Sequence, residues 1–220
     1  MELPFTIQQF LHLFEQYNTD IWPMQIVTYI LAITVLLFVF KDHRYSGRIV
    51  LATLTFFWLW NGLIYHLLYF STINKAAYIF GVLFLIQAGL FILLGLTHHW
   101  LSFKFLNNSY SITASILILY AMLFYPVLNS LLGHGYPESP AFGLAPCPTT
   151  IFTFGILLLC ESKVPKYILA IPLAWSVIGF SAALFLMIYE DTGLLLSGLS
   201  GTFMIIYKNY RLPDKTDSTI

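Results

Sequence analysis

Charge is what this sequence has least of. Asp, Glu, Lys and Arg make up 9% of its 220 residues, where a soluble domain carries roughly 25%. With 59% hydrophobic residues beside so few charges, a water-soluble fold is excluded and an integral membrane protein is implied. Ten Lys plus Arg balance ten Asp plus Glu, so no strongly basic face exists to hold nucleic acid. No charged residue falls in the middle of any long apolar stretch, and a retinal-type pump is excluded for want of a buried lysine. Hydrolase, zinc-protease, phosphate-loop and dinucleotide signatures are missing too. Only two cysteines occur. They lie at opposite ends of one helix, roughly 20 Å apart at helical rise, and cannot form an intramolecular disulfide. No internal repeat or linker divides the chain, which reads as one integral membrane domain over 1–220.

Apolar sequence is abundant. Stretches of roughly 17 to 25 mostly apolar residues are long enough to cross a bilayer as helices. They run near 22–40, 48–70, 76–97, 110–132, 148–162, 166–189 and 192–208. The expected fold is all-α, a polytopic membrane helix bundle of seven transmembrane helices. Its connections sort by charge. Lys41, Arg44 and Arg48 follow the first stretch, Lys104 the third, Lys163 and Lys166 the fifth, and Lys208, Arg211 and Lys215 the seventh. Only Lys75 falls on the other face, so the positive-inside rule puts the N-terminus outside and the C-terminus in the cytoplasm. Trp22, Tyr69, Trp100 and Tyr207 sit near span ends and suit an interfacial aromatic belt. In the last stretch Gly193, Ser197 and Gly201 recur every fourth residue, which lets a neighbouring helix approach closely.

The opening MELPFTIQQFLHLFEQYNTD has no basic leader and no small-residue cleavage site. Residues 1–21 are expected to form an interfacial amphipathic segment with Ile7, Phe10, Leu11, Phe14 and Tyr17 on its apolar side. The bundle then occupies 22–208 and a short cytoplasmic tail 209–220.

The fifth stretch, 148–162, is short. Fifteen residues at helical rise reach about 22 Å, against a hydrocarbon core of about 30 Å. Its lead-in, GHGYPESPAFGLAPCPTT from Gly133, holds four prolines and should descend to meet it as a re-entrant loop. Irregular backbone at that depth is tolerated only inside protein or beside a watery cavity. An outward-facing pocket lined by residues 133–150 is therefore expected. Pro148 suits the first helical position, and Thr149 and Thr150 beside the free amides would favour an anion or a lone-pair donor.

Within this segment Cys147 sits at a helix start, a setting that activates a thiol. His134 opens the segment, and His66 lies at similar depth in the second stretch. His134, Cys147, Thr149, Thr150 and His66 are the candidate substrate-binding residues. His66, His134 and Cys147 are also candidate ligands for Zn or Cu, since imidazole and thiolate suit both ions. Glu190 and Asp191, at the short hairpin before the last stretch, fall on the same side and could join this set, but Asp191 precedes Thr192 and Gly193 and reads better as the cap of the last helix. Three functions stay open: binding or transport of a small solute or metal ion, a membrane-embedded enzyme with Cys147 as nucleophile and His66 or His134 as base, and a structural subunit of a membrane complex. The implied partners are the lipid bilayer and the bound solute or ion.

The chain resembles an uncharacterised bacterial membrane-protein family, the domain of unknown function DUF6064. PFTIQQFLHLFEQYN, IWPMQ, WLWNGLIYHLLYF, INKAAYIFG and, most specifically, GHGYPESPAFGLAPCPTTIFTFG carry the likeness. It implies a bacterial inner membrane and lends no activity.

Overall fold

The structure, a computed structural model, describes residues 4–98, 101–186 and 188–212. Among these residues lie eight long helices: α1 Ile7–Asp20, α2 Met24–Phe40, α3 Ser46–Thr72, α4 Ala77–Thr97, α5 Ser109–Leu131, α6 Pro146–Leu158, α7 Tyr167–Leu186 and α8 Thr192–Arg211. Among the described residues there is no strand, and a single bridge joins Phe103 to Cys160. Trp100, Lys215 and the tail from 213 onward lie outside the described residues.

Each of the seven expected stretches is a helix. By length and composition α3, α4, α5 and α7 can cross a membrane, and a fifth crossing arises if α1 and α2, bent by 80° at their junction, count as one. The other three fall short for different reasons. α2 has 17 residues, α6 has 13, and α8 mixes Ser, Thr and Gly with Lys208 and Arg211.

α1 starts at a reciprocal cap. The Thr6 hydroxyl accepts from the Gln9 N–H at 3.3 Å, and the Thr6 N–H donates to the Gln9 side chain at 2.8 Å. Its apolar side is Leu13, Phe14 and Tyr17, with Leu11 only half-buried. That side faces protein: Phe14 stacks on Tyr65 at 5.4 Å and Tyr17 meets the same ring edge-on at 5.5 Å.

Two helix prolines show how an apolar bundle settles a freed carbonyl. Proline at position i removes the bond to the carbonyl at i−4. Pro126 frees Met122, whose oxygen accepts from the Tyr29 hydroxyl at 2.7 Å. Pro172 frees Ile168, whose oxygen accepts from the Gln87 amide at 3.1 Å. The small residues of α8 are packing positions as expected. A Cβ on Gly193 would lie 2.3 Å from the Tyr120 ring of α5, and one on Gly201 would lie 2.8 Å from Phe154 of α6.

α6 sits at the centre. Every residue from Pro148 to Leu158 is buried, so this helix has no outward face at all. It begins at Pro146, two residues before the expected Pro148, with Ala145 in extended geometry as its cap. The chain before it passes from exposed at Gly133 to buried from Phe142 onward. Its carbonyls are answered one by one from α1, α2 and α3. Asn18 donates to Pro137 and Ser139 (2.6 and 2.8 Å), Thr28 to Phe142 (2.9 Å), Asn61 to Gly143 (3.2 Å) and Tyr17 to Leu144 (2.7 Å). Side chains from three helices thus do for this backbone what water does for a surface loop.

At the other end of α6, Lys208 donates to the carbonyls of Leu158 and Cys160 at 2.9 and 2.6 Å, a cation on a helix C-terminus. Asn209 pairs with the Val164 backbone at 3.0 and 2.7 Å, and Lys104 meets Asp42 at 2.5 Å. These contacts gather the α2–α3, α4–α5 and α6–α7 connections and the end of α8 at one end of the bundle. Of the described Lys and Arg residues, Arg48 lies in the first turn of α3, beside these segments, and Lys75 alone lies away from them in the chain.

Candidate functional site: an aromatic cavity with an acidic floor

Where the buried lead-in meets the C-terminal half of α7, a cavity of about 410 Å³ opens. That is within the usual range for small-molecule sites, about 300–1,000 Å³. Its walls are rings: Phe10 and Phe14 from α1, Tyr65 and Phe70 from α3, Phe80 from α4 and Trp175 from α7. Pro4, Asn74, Ser181 and Phe185 border it where they are partly exposed.

The floor is polar. Ala145, Pro146 and Cys147 bring the start of α6 to it, and Asp191 arrives from the turn between α7 and α8. The Cys147 thiol and the Asp191 carboxyl are in contact. Tyr125 of α5 donates to Asp191 Oδ1 at 2.6 Å, which fixes the carboxyl from below. Burial pushes the Asp191 carboxyl up to about 7, because water that would solvate its charge is excluded. Beside it Glu190 is buried with neither carboxyl oxygen hydrogen-bonded, and burial raises its pKa as well. The Trp175 indole N–H faces the Cys147 thiol. A Cβ on Gly179 would lie 3.4 Å from that nitrogen and 3.6 Å from Cys147 Sγ, so the absence of a side chain there keeps the floor open.

Of the five expected site residues, Cys147 alone lines the cavity. His134 stands near Glu190, close enough to lower its pKa. His66 is fully buried behind the wall, 4.7 Å from Phe84 and 5.1 Å from Trp175 ring to ring, and neither of its nitrogens has a hydrogen-bond partner. It supports the Trp175 ring and reaches no ligand. Thr149 and Thr150 are buried within α6: Thr149 accepts from Asn61 at 3.3 Å, and Thr150 donates back to the Pro146 carbonyl at 2.8 Å. An external anion at the start of α6 is disfavoured, since Asp191 already brings a carboxyl to Cys147.

Among the described residues no group of three or more His, Cys, Asp or Glu side chains is placed to hold a metal ion. His66, His134 and Cys147 are therefore not assembled as ligands for Zn or Cu. His66 makes no hydrogen bond, so it is not paired with Cys147 as a base.

Asp191 is the residue that sequence reasoning placed wrongly. It occupies the cap position of α8 but makes no capping hydrogen bond, and its side chain turns to Tyr125 and Cys147 instead. Two adjacent acids at a tight turn between apolar helices, with no basic residue nearby in the chain, were the available signal. Trp175, Tyr65 and Tyr125 carried none, because aromatic residues are common throughout.

Fold and site together define a protein that is all-helical among the described residues, with four or five helices there apolar enough to cross a membrane and an aromatic cavity floored by a buried loop. The model of the DUF6064 family, described as a family of unknown function, matches residues 7–215, and the chain belongs to that family. No curated protein and no solved structure matches it.

Proposed function

We propose that this is a multi-pass protein of the bacterial inner membrane, crossing seven times with its N-terminus outside, that binds or transports a small, mostly apolar solute held in the aromatic cavity. The cavity carries this reading: it is large enough for a ligand, walled by rings, and floored by the start of α6 and by Asp191. The membrane part is supported by outward apolar stripes such as Ile26, Ile30, Ile33 and Leu37 on α2 and Leu196, Leu199 and Phe203 on α8. In water such stripes would be an aggregation hazard; in lipid they are the required surface. Both helices are too short or too polar to qualify alone, yet each presents an apolar flank over most of its length. The charge asymmetry of the two ends supports the orientation.

The test is binding of a neutral naphthylamine dye, which brightens in apolar sites, to protein in nanodiscs. Ala182 is half-buried and lines the cavity, so Ala182→Phe should fill it and abolish the saturable signal while the protein stays monodisperse. Equal signals from wild type and variant would end the proposal.

A further inference from the structure

We propose that the cavity selects a lipophilic cation: an apolar body carrying a permanently charged or protonated nitrogen or phosphorus centre, cradled by the aromatic wall and neutralised by Asp191. The inference deepens the reading of this cavity as a binding site and rests on it.

Three observations converge. The wall is built of rings from Phe14, Tyr65, Phe70, Phe80 and Trp175, and aromatic rings attract a poorly hydrated cation through their quadrupoles. Among the described residues, Asp191 is the only ionisable acid or base in the lining apart from Cys147 and Tyr65, and no Lys, Arg or His lines the cavity. The surroundings of that carboxyl are acidic and polar, not basic. Tyr125 and Tyr120 approach from α5, Cys147 from α6 and Tyr65 from α3, while Glu190 adjoins it in the chain. His134 stands beside Glu190.

A buried carboxylate without a counter-charge is unfavourable, and the described residues supply none at this floor. A bound cation would supply it. An anionic amphiphile would instead place a second negative charge against Asp191 and Glu190. A neutral molecule would satisfy the rings but leave the carboxyl as it is. The asymmetry therefore predicts discrimination by charge among molecules of one shape. Tyr125 strengthens the case, because its hydrogen bond to Oδ1 orients the carboxyl without neutralising it.

The experiment uses a pair of matched shape and opposite charge. Tetraphenylphosphonium and tetraphenylborate are titrated against the naphthylamine dye bound to the full chain in zwitterionic nanodiscs, with Ala182→Phe as the background for partition into lipid. Tetraphenylphosphonium should displace the dye and tetraphenylborate should not. Asp191→Asn should lower the affinity for the cation relative to that for the dye about tenfold or more, as expected for loss of a desolvated charge partner. The preference of wild type for cation over anion is read without any variant, so misfolding of Asp191→Asn would not remove the test. Equal competition by the two ions, or an unchanged cation affinity in a folded Asp191→Asn, overturns the proposal and leaves the cavity a neutral apolar site. Absence of specific dye binding in wild type would instead defeat the underlying reading.

Discussion

Gly143 and Gly133 provide a matched pair for measuring how tightly the lead-in to α6 is held. Both have positive φ, +76° and +94°, so an alanine at either strains the backbone; for an L residue the left-handed region costs roughly 1–2 kcal/mol. Their surroundings differ. A Cβ on Gly133 would meet nothing within 4 Å, whereas one on Gly143 would lie 2.8 Å from Thr28 Cβ and 3.2 Å from Phe57. Overpacking a buried site adds about 1–3 kcal/mol. Gly133→Ala should therefore destabilise by about 1 kcal/mol and Gly143→Ala by about 3–4 kcal/mol. At the usual scale for this chain length, about 2–4 °C per kcal/mol, their melting temperatures separate by roughly 5–10 °C. The assay is thermal unfolding in mild detergent, followed by the loss of monodisperse protein. Equal shifts for the two variants would refute the reasoning, because Gly143 would then not lie against Thr28 and Phe57.

Further outcomes are expected from other parts of the molecule. The Tyr17 hydroxyl donates to Leu144 and accepts from Trp60 Nε1 at 2.8 Å, so Tyr17→Phe leaves two buried groups unpaired and should cost about 2 kcal/mol or more, measured as above. Asp191 is held near 7 against an ordinary 3.8; a raised carboxyl stabilises the fold fully below about 4 and loses that contribution as pH rises to about 7. Stability should thus fall between these values by an amount on the order of 4 kcal/mol, and Asp191→Asn should flatten the profile; an unchanged slope in the variant would contradict the burial of this acid. In a chain lacking Cys147 and Cys160, a cysteine replacing Lys75 should react with an impermeant thiol reagent on intact cells and one replacing Lys104 only after permeabilisation; the reverse pattern would invert the orientation. Lys208→Met removes the cation from the end of α6 and should lower stability by about 1 kcal/mol or more, whereas Lys166→Met, at an exposed position, should leave the melting point nearly unchanged.

Periodicity and composition revealed the helices because apolar run length is a local property. That the lead-in to α6 is buried was also legible, since irregular backbone rich in proline before a short apolar helix was expected to be enclosed by protein. Its depth of embedding was not, because the donors that hold it come from Asn18, Thr28 and Asn61, more than eighty residues earlier in the chain. The site was read in part for the same reason. Cys147 reached the cavity because it belongs to the lead-in. His66, one residue past Tyr65, was drawn to the wrong side of the wall by wide π-type turns over Asn61–Tyr69 that shift which residues share a face. Asp191 looked like a cap because its local sequence fits one, and only the tertiary approach of Tyr125 shows otherwise.

The enclosure of α6 bears on how the chain is made. In the membrane protein proposed above, a segment with no flank for acyl chains would gain nothing by partitioning alone into the bilayer, and its final carbonyls wait for an ammonium group fifty residues downstream at Lys208. The ribosome must therefore emit the last two helices before the middle of the bundle can close, and a truncated product ending ahead of α8 should be left for proteolysis.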